Sequence, residues 1–496
     1  MSNEKIIYPA LGLLFLFIIK NSAGHWIFRS QAHFINNVAT RISKENLVAY
    51  LYGNYANYAD KDSSVYVRKI IHTPTEFAQY VLLNFQQIVT EFALVFLSII
   101  ALLIFKTNLF VILIITLTPA ILLMTYLMRK RLNDIKKHIK NIVEKFFQYL
   151  HESLNGFVES NIYDSNQYFI RRHYNTQKEL NRYISDMQIV QDIPTRLLEV
   201  FAIIGLFILL VITKMNDVEN GSNFLIINAF MAGAYKIIPG AAKIVNLNNQ
   251  LRTYLFTLEE ITPSSITSLP VSADIFEAIY SIRIRKINFS HKDTRVFLNF
   301  NASFSRGTLT GIYGSSGRGK TTLLHLLLQF YQSDTGEIYI NDQLLTFKNK
   351  QLFWRKVSYI RQTSFLLHAS ILNNIVMFEK KYDKERLKQA VKTSGVGELF
   401  PEGLEKMIME NGKNISGGQK QRIVFARALY KNSEVFLFDE PFSELDISSE
   451  MRMMKELKLL AESGKIIVLI SHNKESFNYC HSVIDLDIIS VQGTNA

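Results

Sequence analysis

Residues 309–330 read LTGIYGSSGRGKTTLLHLLLQF. Leu309 to Tyr313 suit a strand, Gly314 to Thr322 carry the pattern G-x-x-x-x-G-K-[ST], and LLHLLLQF suits a helix. Strand, glycine-rich loop and helix in that order form the setting in which such a loop grips phosphates. The glycines let backbone N–H groups close around the anion, and the helix start adds partial positive charge. The candidate phosphate site is therefore Gly314, Ser315, Ser316, Gly317, Arg318, Gly319, Lys320, Thr321 and Thr322. The spacing assigns Lys320 to the β- and γ-phosphates and Thr321 to a Mg²⁺ ion.

A second stretch points the same way. Residues 434–440 read EVFLFDE: four hydrophobic residues, then Asp439 and Glu440. A nearly continuous apolar strand belongs to a parallel sheet, and ligands bind beyond the C-terminal ends of such strands. Asp439 is thus placed for Mg²⁺, and Glu440 is placed beside an attacking water.

Working outward, Ile415-Ser416-Gly417-Gly418-Gln419-Lys420-Gln421-Arg422 resembles the signature motif of ABC ATPases, and its order between the phosphate loop and Asp439 matches that family. The resemblance covers about residues 281–480 and implies further roles. Ser416, Gly417, Gly418 and Gln419 would bind the nucleotide held by a second subunit, with Ser416 and Gly417 capping its γ-phosphate. Gln362 falls at the glutamine that senses Mg²⁺ and the transmembrane domain. Ser443-Glu444-Leu445-Asp446 is similar to the D-loop. His472 falls at the histidine that contacts the γ-phosphate, and Glu410-Asn411-Gly412 at an acidic segment that touches coupling helices. The sequence departs from the family at His291, which stands where a tyrosine usually stacks on adenine, at Ile415 for leucine, and at Asn473 for arginine. None of these touches Lys320, Asp439, Glu440 or His472, so hydrolysis of ATP with Mg²⁺ is expected to survive.

The first half reads differently. Leu109 to Met128 is a twenty-residue run without a charge, enough to cross a bilayer as a helix. Phe92–Phe105 precedes it, and Val200–Thr213 and Phe224–Ala242 form a second pair joined by MNDVENGSN. Ile6–Ile19 is shorter and continues into GHWIFRSQAHF, which can complete a helix facing other helices. No small-residue cleavage site follows it, which argues against a signal peptide. Basic residues from Arg129 to Lys140, then Arg171, Arg172, Lys178 and Arg182, place segment 129–197 in the cytoplasm. Apolar residues at helical spacing (Ile135, Ile139, Ile142, Phe146, Leu150) predict two long helical extensions turning near Tyr163–Asn166. Glu91, Glu199 and Lys236 are the ionisable residues within spans; Glu91 and Glu199 can sit at interfaces, Glu199 and Lys236 can form a pair, and Pro239-Gly240 interrupt the last span.

Composition bounds the rest. The 496 residues are 48% hydrophobic and 20% charged, which excludes a disordered or collagenous chain. The single Cys480 excludes an intrachain disulfide framework and a multi-cysteine metal site. The net charge of +12 fits nucleic acid, an anionic membrane or a phosphorylated ligand, without choosing among them. The fold expected is an α-helical transmembrane domain of ABC exporter type (1–258), apparently lacking the first of six helices. A linker (259–280) and an α/β P-loop NTPase domain with an ABC signature subdomain (281–496) follow.

Resemblance to an exporter half-transporter implies a homodimer, because each ATP lies between the phosphate loop of one copy and the signature motif of the other. It implies a multi-pass protein of the bacterial cytoplasmic membrane, ATPase domain in the cytoplasm, in contact with membrane lipids and with no nucleic acid partner. Tyr52–Tyr58 and Tyr163–Gln167 would be the two coupling regions. RLLEVFAIIGLFILL and AYKIIPGAAKI are similar to flippases of lipid-linked oligosaccharides and to polysaccharide exporters, so the amphipathic substrate expected is a lipid-linked saccharide. Export of peptides or drug-like amphiphiles, or a truncated chain that binds ATP without transport, are the alternatives. With only a few residues before Ile6, no protease-like extension for leader-peptide removal is expected.

Overall fold

The computed structural model describes residues 4–53, 55–56, 62–105, 115, 118–119, 123, 126, 135, 138–215, 220–261, 278–292 and 294–488. The chain separates into two compact units, Met1–Thr267 and Ser268–Ala496.

The first unit is helical. Glu4–Leu51 is one uninterrupted helix, so the short apolar run from Ile6 does continue through GHWIFRSQAHF. Ser63–Phe105 is helical throughout, with π-helical turns at Arg68–His72 and Phe77–Leu82. Of this stretch, Ser63–Ala101 is long and apolar enough to cross a membrane. The Leu109–Met128 run lies almost wholly outside the described residues, as does the linker after Ile261. Helix Phe157–Ile162 ends in a turn at Tyr163–Asp164, and Asn166–Met215 returns as a single 50-residue helix, as the periodicity predicts. Helix Asn220–Tyr254 begins inside the MNDVENGSN stretch and runs straight through Pro239. The expected interruption there is therefore absent. Gly240 serves contact instead: a Cβ on it would meet Val95 Cγ2 at 2.5 Å, so its bareness lets Leu83–Phe105 pack along Asn220–Tyr254. Helix Phe256–Ile261 runs past residue 258, where the sequence places the start of a linker.

This unit keeps polar side chains inside. Arg68 is 2% exposed, and its Nη1 donates to Glu144 Oε1 at 2.9 Å and to Glu260 Oε1 at 3.3 Å. Thr73 Oγ1 donates to Glu260 Oε2 at 2.8 Å, and Lys140 Nζ lies 2.6 Å from Glu260 Oε1. Glu91 pairs with Lys243 at 2.6 Å. The pair expected between Glu199 and Lys236 is not among the ion pairs of the described residues; both side chains are exposed. Lys243 lies on the Asn220–Tyr254 helix closer to its C-terminal end than Lys236, at a level where Glu91 on the neighbouring helix reaches it.

The second unit is α/β. Its strands are β1 (Ser281–His291), β2 (Thr294–Ser305), β3 (Leu309–Tyr313), β4 (Thr335–Ile340), β5 (Gln343–Leu344), β6 (Val357–Ile360), β7 (Ala369–Ser370), β8 (Met407–Ile408), β9 (Val435–Asp439), β10 (Ile466–Ile470) and β11 (Ser482–Asp485). The core sheet is parallel in the order β11-β3-β10-β9-β6, beside an antiparallel sheet β2-β1-β4-β5. β9 and β10 are buried at every position, which is why VFLF, before Asp439, and IIVLI are unbroken apolar runs. Two hydrophobic clusters flank the sheet. One holds Phe300, Leu323, Leu327 and Phe353; the other holds Phe425, Phe436, Met453 and Leu457.

Candidate active site

Strand register brings the chemistry together. Ile470 of β10 pairs with Asp439 of β9 on one side and with Ile312 of β3 on the other. The phosphate loop, the two carboxylates and His472 therefore leave the sheet at the same level, at the C-terminal edge where parallel sheets bind ligands.

After β3 the loop turns on glycines. Gly317 and Gly319 have φ +82° and +88°, a conformation that other residues rarely adopt. A Cβ on Gly319 would also meet Val296 Cγ1 at 2.5 Å. Gly319 caps the helix Lys320–Leu327, so the helix N-terminus faces the loop. Lys320 is 8% exposed; its Nζ donates to Gly314 O at 2.8 Å and to Ser315 O at 3.3 Å, placing the ammonium inside the loop. Ser316 and Thr322 lie in the same loop and first helical turn.

Asp439 is 2% exposed. Burial pushes its carboxyl above the ordinary value, opposed chiefly by a hydrogen bond with Thr321 and aided by the charge of Glu440. Oxygen donors from a hydroxyl and a desolvated carboxylate are the set a hard cation takes, so Thr321 and Asp439 fit Mg²⁺. Glu440 has φ +51°, a strained backbone for a residue with a side chain. That geometry is held by Glu440 N donating to Ile470 O at 3.1 Å. Its carboxylate is gripped at both ends: Gln362 Nε2 donates to Oε2 at 3.0 Å, and His472 Nε2 lies 2.6 Å from Oε1. The Glu440 side chain is 12% exposed and that of His472 60%, so the pair joins a sheltered carboxylate to an accessible imidazole. A cavity of about 220 Å³ opens beside them, lined by Glu440, Ser443, His472 and Asn473 among others.

Other residues singled out from sequence stand apart from this cluster. Ser416 to Gln419 start the helix Gly417–Tyr430, and the hydrogen bonds of Ser416 and Gln419 are spent on each other. Gln419 N donates to Ser416 Oγ at 3.3 Å, and Ser416 N donates to Gln419 Oε1 at 3.0 Å. This is a capping box, a structural meaning of S-x-x-Q that the motif reading passed over. His291 ends β1, exposed, with its ring 5.9 Å from that of Tyr331. Asn473, in place of arginine, caps the helix after it by accepting from Glu475 N and donates to Glu450 Oε2 at 2.9 Å.

Two neighbours were missed. Tyr331 stacks on Phe289 and backs His291. Asp487 accepts from Ser315 N and Ser315 Oγ at 2.9 Å and from Arg318 Nε at 3.0 Å, and these hydrogen bonds hold its carboxyl below the usual range. No motif marks Asp487. It reaches the loop because β11 pairs with β3.

A phosphate loop, a Mg²⁺-type carboxylate and a restrained glutamate on a parallel sheet define a P-loop nucleotide-binding domain, here joined in one chain to a helical unit. Residues 297–443 match the ABC transporter family. The chain is 30% identical over 298 residues to a probable ABC transporter ATP-binding/permease protein of Haemophilus influenzae, covering 58% of this chain and 52% of that one. It is 24% identical to a putative export ATP-binding/permease protein of Rickettsia bellii, covering 100% of this chain and 87% of that one. It is 26% identical to an ATP-dependent lipid A-core flippase of Alkalilimnicola ehrlichii, covering 74% and 64%. The chain spans about half the length of the first curated relatives it matches. A solved bacterial Atm1-family ABC exporter with ATP bound superposes with a TM-score of 0.80 at 16% identity, covering 97% of this chain and 87% of that one. The chain has the fold of an ABC exporter, with a helical region followed by an ABC domain.

Proposed function

We propose that the chain is one half of a homodimeric pump that hydrolyses ATP and exports or flips an amphipathic substrate. The observation that carries the reading is Glu440, held between Gln362 and His472 at the edge from which the phosphate loop emerges. Lys320 supplies a positive charge to the terminal phosphates, and the loop N–H groups supply directed donors. Mg²⁺ bound by Thr321 and Asp439 would neutralise charge that develops on the β- and γ-oxygens. Water attacks the γ-phosphorus, the bond to ADP breaks, and Glu440 orients that water and takes up its proton. His472 holds Glu440 and presents its ring toward the departing phosphate. Gln362 links Glu440 to the segment that the family resemblance ties to the transmembrane part. Ser416 and Gly417 of a second copy complete the site, and closure shifts the helical unit between inward- and outward-open states.

Membrane residence is part of this proposal. It is supported by the apolar helix Ser63–Ala101 and by large apolar side chains left exposed on other helices, such as Phe15, Leu16 and Phe207. For the substrate we favour a lipid-linked saccharide, supported by the relative named as a lipid A-core flippase. ATPase activity of the full chain in lipid tests the first part: Glu440→Gln is expected to reduce turnover by roughly 100-fold or more. Equal rates for the two proteins would end the enzyme reading. Stimulation in proteoliposomes by a hydrophobic peptide alone would end the saccharide reading.

A further inference from the structure

The helix that starts at the signature motif has an acidic side chain from another segment against its first residue. Gln421, 2% exposed, lies one helical turn after Gly417 and on the same face. Its Nε2 donates to Ser443 Oγ at 3.1 Å, and its Oε1 accepts from Glu444 N at 3.1 Å. A buried amide thus pins the turn after Glu440 against the start of the helix. Leu445 tightens the contact: a Cβ on Gly418 would meet its Cδ2 at 3.1 Å. With the backbone so placed, the Glu444 side chain lies across Gly417, and a Cβ at that glycine would overlap Glu444 Oε2. The exposed carboxylate lies against Gly417 at the start of a helix, an end whose unpaired N–H groups and dipole favour an anion. Ser416 Oγ satisfies only Gln419 N there.

We propose that Glu444 is a positioning residue that sets the ATP concentration at which the composite site closes. Its carboxylate rests where the terminal phosphate of ATP held by the other copy must dock, and two anions cannot share that place. Glu444 has to swing off Gly417 before the phosphate arrives, so part of the docking free energy goes into displacing it. This rests on the composite-site reading of the preceding section.

The test is ATP titration of hydrolysis by the full chain in lipid nanodiscs. E444A is expected to lower the ATP concentration for half-maximal rate by roughly fivefold or more, the range of ordinary coupling between sites. The maximal rate should change far less, because Lys320, Asp439 and Glu440 are untouched. E444Q removes the charge and keeps the volume, so it should give a smaller shift in the same direction. A role in folding alone would move the unfolding midpoint without nucleotide and leave the half-maximal concentration in place. An unchanged or raised half-maximal concentration in both variants overturns the proposal, and E444Q alone carries the test if E444A does not fold. The parent reading fails separately: a wild-type chain without ATPase activity, or a Lys320→Ala chain that hydrolyses normally, refutes the composite site before Glu444 is considered.

Discussion

The two units are packed with opposite polarity. In the nucleotide unit Phe300, Phe304, Phe436 and Phe438 are among the largest fully buried side chains. In the helical unit large apolar residues stand outward, with Phe15 63% and Ile104 82% exposed, while Arg68, Thr73, Asn84 and Thr257 are inside. The same residue types thus serve opposite ends. In water the apolar surface is the driving force, at about 25 cal/mol per Å² buried. In the proposed membrane setting, with helices solvated by lipid tails, it would drive little, and polar contacts with close backbone approach would hold the helices together. Gly240 against Val95 is such a contact, while Arg68 with its carboxylates and Asn84 donating to Gln250 at 3.0 Å join the helices beyond the apolar runs Phe92–Phe105 and Phe224–Ala242.

Removing the buried cation gives the largest expected effect. Arg68→Ala leaves Glu76 and Glu144 without their cation while Glu260 keeps Lys140, and should destabilise the helical unit by roughly 3 kcal/mol or more. A thermal unfolding midpoint in detergent equal to wild type would break the comparison on its polar side. Phe438→Ala should cost the nucleotide unit about 3 kcal/mol or more through the cavity it leaves, read as a lower denaturation midpoint.

A pH effect comes next. Burial, then the charge of Arg361, pushes the His325 imidazole down to about 4. The folded value lies below the unfolded value near 6.5, so the unfolded chain binds the proton first. Stability is full above about pH 6.5 and falls as pH drops toward 4. The loss is roughly 2 kcal/mol once the partial exposure of the ring is allowed for. Trp354 fluorescence in a chain carrying Trp26→Phe, unfolded by denaturant at pH 7.5 and pH 5, should show it. His325→Gln should abolish the difference, and a difference that persists assigns it to other groups. The smallest effect is expected at Phe15→Ala, within about 0.5 kcal/mol in lipid or detergent. A loss as large as that of Phe438→Ala would mean that Phe15 is covered by protein and would undo the contrast between the units.

Much of the nucleotide unit was legible in advance. A phosphate-loop pattern needs contiguous residues of particular types, so 314–322 stands out, and a strand buried on both faces is apolar along its length, so 435–438 does too. Gly240 shows the limit: Pro239-Gly240 reads as a break, yet the helix continues and the glycine is there for a neighbour. The ion pair of Glu91 shows it again, since residues 91 and 243 meet only through the packing of two helices.

Local features were legible from the order of residues alone: which loop carries the phosphate-loop pattern, which carboxylates end the apolar strand, which helices are long. Those features depend on neighbours in the chain, at spacings fixed by backbone geometry. The partners of Glu440, the strap of Asp487 on Ser315 and Arg318, the Glu444 carboxylate across Gly417 and the carboxylates around Arg68 were decided only in three dimensions. Each joins residues far apart in sequence, and strand register and helix packing, which no local pattern encodes, bring them within hydrogen-bonding range.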